Sequence, residues 1–244
     1  MRIYVINLDR HSLRWDRLKE LLQGLDFQRI AAVDGKTIDG PELRDRSIPL
    51  CHEALSRYER ACVLSHRAAW LEFLAGKDPY CCILEDDVII SPDFTRFIKR
   101  ENWIPKRCEV LKIETCTTEF YFSRKTIACL DRRLVVPHSL HLGCAAYIIS
   151  RRSAQILLEE TVRPDRPIDR IMFDETGLQK LRPVYQLFPA LCIQANRYQG
   201  GILFPELDSS IERTFTPEVQ TQIVQPRKHW PTKSNASWSA RSIN

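Results

Sequence analysis

Residues 2–35 read RIYVINLDRHSLRWDRLKELLQGLDFQRIAAVDG. Arg2 to Leu8 is an apolar, β-branched run, the pattern of a buried strand. Ser12 can N-cap a helix in which Leu18, Leu21, Leu22 and Leu25 form an apolar stripe. Phe27 to Val33 reads as a second strand, closed by the turn pair Asp34-Gly35. Strand, helix and strand in such short order mark a parallel α/β sheet. The expected fold is therefore α/β, built on a central and mostly parallel sheet.

The pattern continues along the chain. Residues 36–55 are polar and contain Gly40, Pro41 and Pro49, so they read as a long loop. Ser56-Arg57-Tyr58-Glu59 has the spacing of a capping box. It opens a helix to about Ala75, stopped by Gly76 and Pro79. Tyr80 to Leu84 is a short apolar strand that ends abruptly in Glu85-Asp86-Asp87. Val110 to Ile113, Leu134 to Val136, Cys144 to Ile149 and Val184 to Leu187 are further strands, and Ser153 to Glu160 a helix. From about Gln225 the chain turns polar and rich in Ser, Pro and Lys, the composition of a mobile tail.

Composition narrows the possible roles. The 244 residues are 44% hydrophobic and 27% charged, enough for one sizeable core. No apolar stretch is long enough to span a bilayer, and Asp9 and Arg10 follow the first strand too closely for a signal-peptide core. A cytoplasmic protein is expected. Nine cysteines, mostly in apolar runs and without a C-x-x-C pair, suggest buried reduced thiols. A net charge of +5 with scattered basic residues does not suit nucleic acid. It leaves room for peripheral contact with the anionic inner face of the cytoplasmic membrane.

The acidic triplet carries the chemistry. In extended chain, residues i and i+2 point to one side, so Glu85 and Asp87 can face one cation while Asp86 turns away. Carboxylates suit Mn²⁺ or Mg²⁺, which keep positions open for phosphate oxygens. Ligands of open α/β sheets bind at the carboxyl ends of the strands. Asn7, Asp9 and Arg10, with Arg14 one turn on, occupy that edge after the first strand and could meet a phosphate or nucleoside. His138 and His141 are alternative imidazole ligands. His66 reads as a packed or donor-proximal histidine.

Several of these stretches, in order, resemble glycosyltransferase family 25. They are Ile6-Asn7-Leu8-Asp9-Arg10 with Arg14, Ala32-Val33-Asp34-Gly35, Cys62-x-Leu64-Ser65-His66-x-x-x-Trp70, and Ile83 to Val88 with Ser91-Pro92-Asp93-Phe94. Gly143 to Ser150, Pro167-Ile168-Asp169 with Met172-Phe173-Asp174, and Pro189-x-Leu191-Cys192-Ile193-Gln194 follow. The family holds lipooligosaccharide galactosyltransferases and is similar to procollagen galactosyltransferases.

The resemblance covers residues 1–213 as one GT-A-type domain and leaves 214–244 as a C-terminal extension. It implies inverting transfer from a UDP-sugar, with UDP-galactose the first choice and UDP-glucose the runner-up, onto a glycan or glycolipid acceptor. It also implies a divalent metal near Asp87, with Glu85 or Asp86 beside it. Asp169 is the expected general base and Asp174 the second candidate, although Asp169 could instead be a helix N-cap. Asp34 could accept a hydrogen bond from uracil, although Asp-Gly is first of all a turn sequence. The block at Gly143 and Cys144 departs from the family's small-residue pattern.

Overall fold

The computed structural model describes residues 1–38, 55–116, 120–174, 181 and 183–197. Most of the expected 36–55 loop and the whole 214–244 extension lie outside them.

The opening unit forms as its sequence demands. Strand β1 (Arg2–Asn7), helix α1 (Ser12–Leu21) and strand β2 (Phe27–Ala31) follow in order. The strands pair in parallel, with Ile3 opposite Phe27. Helix α1 starts one residue earlier than its cap signal suggested. His11 is the N-cap residue, with no side-chain bond, and Ser12 is already helical. The Asn7 amide donates to the carbonyl of His11 at 3.1 Å, and His11 N–H donates to Leu8 O at 2.9 Å. This turn at the strand end fixes the chain's entry into the helix.

The stripe on α1 also needs correction. Leu18 and Leu22 are fully buried, Leu25 packs against the core, and Leu21 is 48% exposed. Leu21 follows Leu18 by three residues, so it lies at the margin of the apolar face rather than on it. Leu18→Ala is expected to cost about 2–5 kcal/mol. Leu21→Ala should stay within about 0.5 kcal/mol of the native protein. Urea denaturation of both variants checks the pair.

Helix α2 (Arg57–Ala75) carries the complete capping box: Ser56 accepts from Glu59 N–H while the Glu59 carboxylate accepts from Ser56 N–H. It leads into strand β3 (Tyr80–Glu85), and β4 (Val88–Ile90) follows after a two-residue turn. A short helix α3 (Phe94–Ile98) comes next. The expected strand at 110–113 divides into β5 (Val110–Lys112) and β6 (Glu114–Thr115). Ile113 sits at the division. Its N–H donates to Ala146 O, and its carbonyl accepts from Leu191 and Cys192. The chain thereby switches sheets.

Strands β7 (Ile127–Cys129), β8 (Arg132–Val135) and β9 (Ala146–Ser150) precede helix α4 (Arg151–Glu160) and helix α5 (Ile168–Phe173). Strands β10 (Val184–Phe188) and β11 (Cys192–Gln194) complete the set.

The large sheet has the order β2-β1-β3-β9-β5-β10-β8-β7, and a small sheet the order β4-β11-β6. Strand β9 enters antiparallel between β3 and β5, and β8 is antiparallel to β10 and β7. The other six strands run one way, so the sheet is mixed but mostly parallel in direction. The architecture is the expected α/β fold on a central, mostly parallel sheet.

Alternation along the strands builds two cores. Ile3, Val5, Cys82, Leu84 and Leu111 pack with Leu18 of α1, with Leu22 at its C-cap, and with Phe94 and Phe97 of α3. Tyr4, Ile6, Cys81, Ile83 and Val110 pack on the other face with Trp70, Phe73, Leu157 and Ile171 from α2, α4 and α5. The period of two along each strand separates these two sets. Among the described residues no helix is long and apolar enough to cross a membrane.

Candidate active site

Parallel β1 and β3 bring Asn7 and the acidic triplet to the same edge of the large sheet. Asp86 turns toward β1. Its Oδ2 accepts from Asn7 Nδ2 at 2.7 Å and its Oδ1 from Arg14 Nη1 at 3.0 Å. His11 Nδ1 lies 3.7 Å away. Arg17 adds a further tether, donating to Val88 O at 2.5 Å. Asp86 and Arg14 are both buried.

A buried carboxylate is tolerable only when its lone pairs are met, and here a guanidinium and an amide meet them. Arg14→Leu should cost roughly 3–5 kcal/mol, because it strands the Asp86 charge. Adding Asp86→Asn should recover most of that loss. Thermal melts of the two single variants and the double variant check this coupling.

Glu85 and Asp87 face the other way, together. Gln194 Nε2, at the end of β11, donates to Glu85 Oε2 at 3.2 Å and approaches Asp87 Oδ2 at 3.5 Å. Asp87 is buried, and its Oδ1 has no hydrogen-bond partner among the described residues. Burial pushes its carboxyl well above the usual range, and the neighbouring Glu85 and Asp86 charges push it further. A crowded, desolvated carboxylate with one oxygen unclaimed fits a hard divalent cation, which would offset all three causes at once.

The other expected donor-site residues gather nearby. Arg29 joins Asn7 Oδ1 at 2.7 Å to Asp9 Oδ1 at 2.5 Å. Arg10 is ion-paired with Asp34. Asp34 also accepts from Lys36 N–H at 2.8 Å, the mark of an Asx turn. The turn role of Asp34 is therefore present in the structure.

Asp169 is not an N-cap. Pro167 occupies that position, and Asp169 lies in the first turn of α5. Its Oδ2 instead accepts from Gly143 N–H at 3.3 Å. Asp174 ends the same helix and pairs with Arg166 at 2.7 Å. His141 does not serve as a metal ligand: Nδ1 meets Gln186 at 3.0 Å and Nε2 faces Cys116 N–H at 3.5 Å.

Other residues at this edge had no role in the sequence reading. Glu114 is buried, and its Oε1 accepts from Ala145 N–H at 2.8 Å. Burial raises its carboxyl to about 7, against the pull of Lys112. Gly143 has φ +103°, and a Cβ there would meet Glu114 Oε1 at 2.9 Å. Only glycine suits that position. Lys112, also buried, donates to the carbonyls of His141 and Leu142, both at 2.7 Å. The signal was available: charged residues alternate with apolar ones in Val110-Leu111-Lys112-Ile113-Glu114.

His66 is fully buried. Its Nδ1 lies 2.9 Å from Tyr147 Oη and its Nε2 3.2 Å from Glu85 Oε1. Burial disfavours its charge, but hydrogen bonding to Cys62 and Glu85 outweighs this and raises it to about 10. Among the described residues every cysteine is free, and all but the half-buried Cys62 are buried.

Known proteins match this chain over the same region. A profile of glycosyltransferase family 25 (LPS biosynthesis protein) matches residues 1–172. The lacto-N-neotetraose biosynthesis glycosyltransferase LgtB of Neisseria gonorrhoeae is 32% identical over 60% of this chain and 56% of its own length. LgtE of the same organism is 29% identical over 66% and 63%. The matches thus span less than two thirds of both Neisseria proteins. The lipooligosaccharide biosynthesis protein lic2B of Haemophilus influenzae is 27% identical over 92% of this chain and 85% of its own length. With its profile covering most of the chain, this protein belongs to glycosyltransferase family 25.

Proposed function

We propose that the protein transfers a hexose from a nucleotide sugar to a lipooligosaccharide or lipopolysaccharide acceptor, with inversion at the anomeric carbon. UDP-galactose is the favoured donor. The observation that carries this reading is the buried Asp87 carboxylate, one oxygen unclaimed, at the carboxyl edge of the sheet in a family 25 chain. The relatives' names place them in lipooligosaccharide and lacto-N-neotetraose biosynthesis, which supports a glycan acceptor. In this reading the enzyme works at the inner face of the cytoplasmic membrane, where the chain's mild positive charge favours peripheral contact.

Asp87, with Glu85 Oε2 beside it, would hold Mn²⁺ or Mg²⁺. Bound there, the ion supplies positive charge against the leaving diphosphate. Asn7, Asp9, Arg10 and Asp34 contact the nucleoside and phosphates, while Arg14 and Asp86 keep the acidic turn in place. The acceptor hydroxyl oxygen attacks the anomeric carbon as the bond to the UDP oxygen breaks. Asp169 takes the hydroxyl proton, and UDP leaves with the bonding pair. Asp174, already engaged by Arg166, is the second choice as base.

A panel of UDP-sugars tests this, scored for hydrolysis and for transfer to lipooligosaccharide, with Mn²⁺, with Mg²⁺ and with EDTA. Metal-dependent UDP release from UDP-galactose is expected. Transfer from UDP-glucose instead would change the sugar and keep the enzyme. Glycan binding without turnover of any donor would overturn the proposal in favour of a non-catalytic binding protein.

A further inference from the structure

Cys62, His66, Glu85 and Cys144 meet at one point, their ligand atoms all within 4.8 Å of one another. Cys62 and His66 stand four residues apart on α2 and so share a face. Glu85 ends β3, and Cys144 precedes β9. Cys144 Sγ lies 3.5 Å from His66 Nε2 and 3.7 Å from Glu85 Oε1, and His66 Nε2 lies 3.2 Å from that same oxygen.

We propose that these four side chains form a tetrahedral site for Zn²⁺, separate from the hard-cation position at Asp87. Zinc bound by two sulfurs, one nitrogen and one oxygen has ligand–ligand edges of about 3.3 Å between nitrogen and oxygen, and about 3.5–3.8 Å wherever sulfur is one end. The three separations match those edges before any metal arrives. Two thiols and an imidazole are soft donors, which select zinc over manganese or magnesium.

The surroundings support the ligand set. His66 Nδ1 is held by Tyr147 Oη, which also accepts from Trp70 Nε1–H at 2.8 Å. That leaves Nε2 facing the cluster, the outer-shell arrangement that orients metal-bound histidines. Glu85 divides its carboxylate. Oε1 belongs to the soft cluster, while Oε2 faces Gln194 and Asp87. Glu85 and Cys62 are only partly buried, so an ion has a way in.

Four protein ligands close the shell and make the site structural rather than catalytic. It would clasp α2 to the ends of β3 and β9, beside the acidic turn. The inference does not rest on the transfer reaction, because metal binding is read without any sugar nucleotide present.

The test starts with zinc analysis of the full chain purified without chelator. About one zinc per chain is expected, falling below a tenth in Cys62→Ser and Cys144→Ser. Metal-free protein titrated with Co²⁺ should develop thiolate-to-cobalt charge transfer and the intense visible bands of a tetrahedral ion, both lost on adding Zn²⁺. Should either variant misfold, alkylation of the native chain supplies the readout: chelation should expose two further thiols, identified as Cys62 and Cys144 by peptide mapping.

Three results would overturn the site: substoichiometric zinc with a six-coordinate cobalt spectrum, unchanged cobalt bands in both variants, or recovery of Cys62 and Cys144 as a disulfide from thiol-blocked cells. Zinc bound normally while no donor turns over would leave this site standing and remove the transferase reading.

Discussion

Asp87→Asn is expected to lower transfer by roughly 10²–10³-fold, the several kcal/mol that a metal contributes at a leaving diphosphate. The same substitution should make the metal-free protein more stable. Burial, Glu85 and Asp86 all raise the Asp87 carboxyl in the folded state. A raised acid favours folding below its unfolded value of about 3.9, and that contribution is lost as pH rises through the folded value. Above the unfolded value the carboxyl therefore opposes folding, and a neutral amide of the same shape relieves the conflict. Glu114, raised to about 7 by burial, adds to the same trend. Native melts without metal should decline as pH rises from about 4 to 7, less steeply in Asp87→Asn. Loss of turnover together with a higher melting temperature separates a functional role from misfolding. A fully active Asp87→Asn enzyme, or full native activity in excess EDTA, would refute the assignment.

Asp169→Asn is expected to reduce turnover about 100-fold or more while leaving donor affinity near native, as removal of a positioned general base does. Asparagine retains an oxygen that can accept from Gly143 N–H, so the bond at 3.3 Å survives. The helix start should be undisturbed, because Pro167 and not Asp169 is the capping residue. Asp169→Ala removes the acceptor as well and should add about 1 kcal/mol of destabilisation. Donor binding by calorimetry, single-turnover rates and melts of both variants divide these effects. Near-normal turnover in Asp169→Asn would move the base to Asp174, whose Arg166 ion pair makes the corresponding substitution structurally costlier.

What could be read from the chain follows from the range of the forces involved. The α1 unit, the capping box at Ser56 and the strand ending at Glu85 are local patterns, set by periods of 3.6 and 2. The opposite facing of Asp86 is expected from strand alternation, but in the structure it belongs to the turn after β3 and is held there by Asn7 and Arg14. Strand direction is not local. Nothing in Ala146–Ser150 distinguishes an antiparallel insertion from another parallel strand, since both are buried and apolar. The split at Ile113 depends on Leu191 and Cys192, which arrive much later in the chain. Glu114 is not legible as a site residue, because a single acid in an apolar run looks like a strand end. Cys62 and Cys144 stood in separate motifs, and only the tertiary fold places them around His66.

The small sheet draws its three strands from 88–90, 114–115 and 192–194. Its last strand delivers Gln194 to Glu85 and Asp87, and Ala195 N–H to the carbonyl of Asp87. On the ribosome, therefore, the acidic turn is made early and enclosed late. A nascent chain halted before residue 192 can pair β1, β2 and β3 but leaves those carboxylates open to water. Such long-range closure is slow and comes after the local units have formed. Enclosure of Glu85 and Asp87 is thus tied to near-completion of synthesis of the described fold.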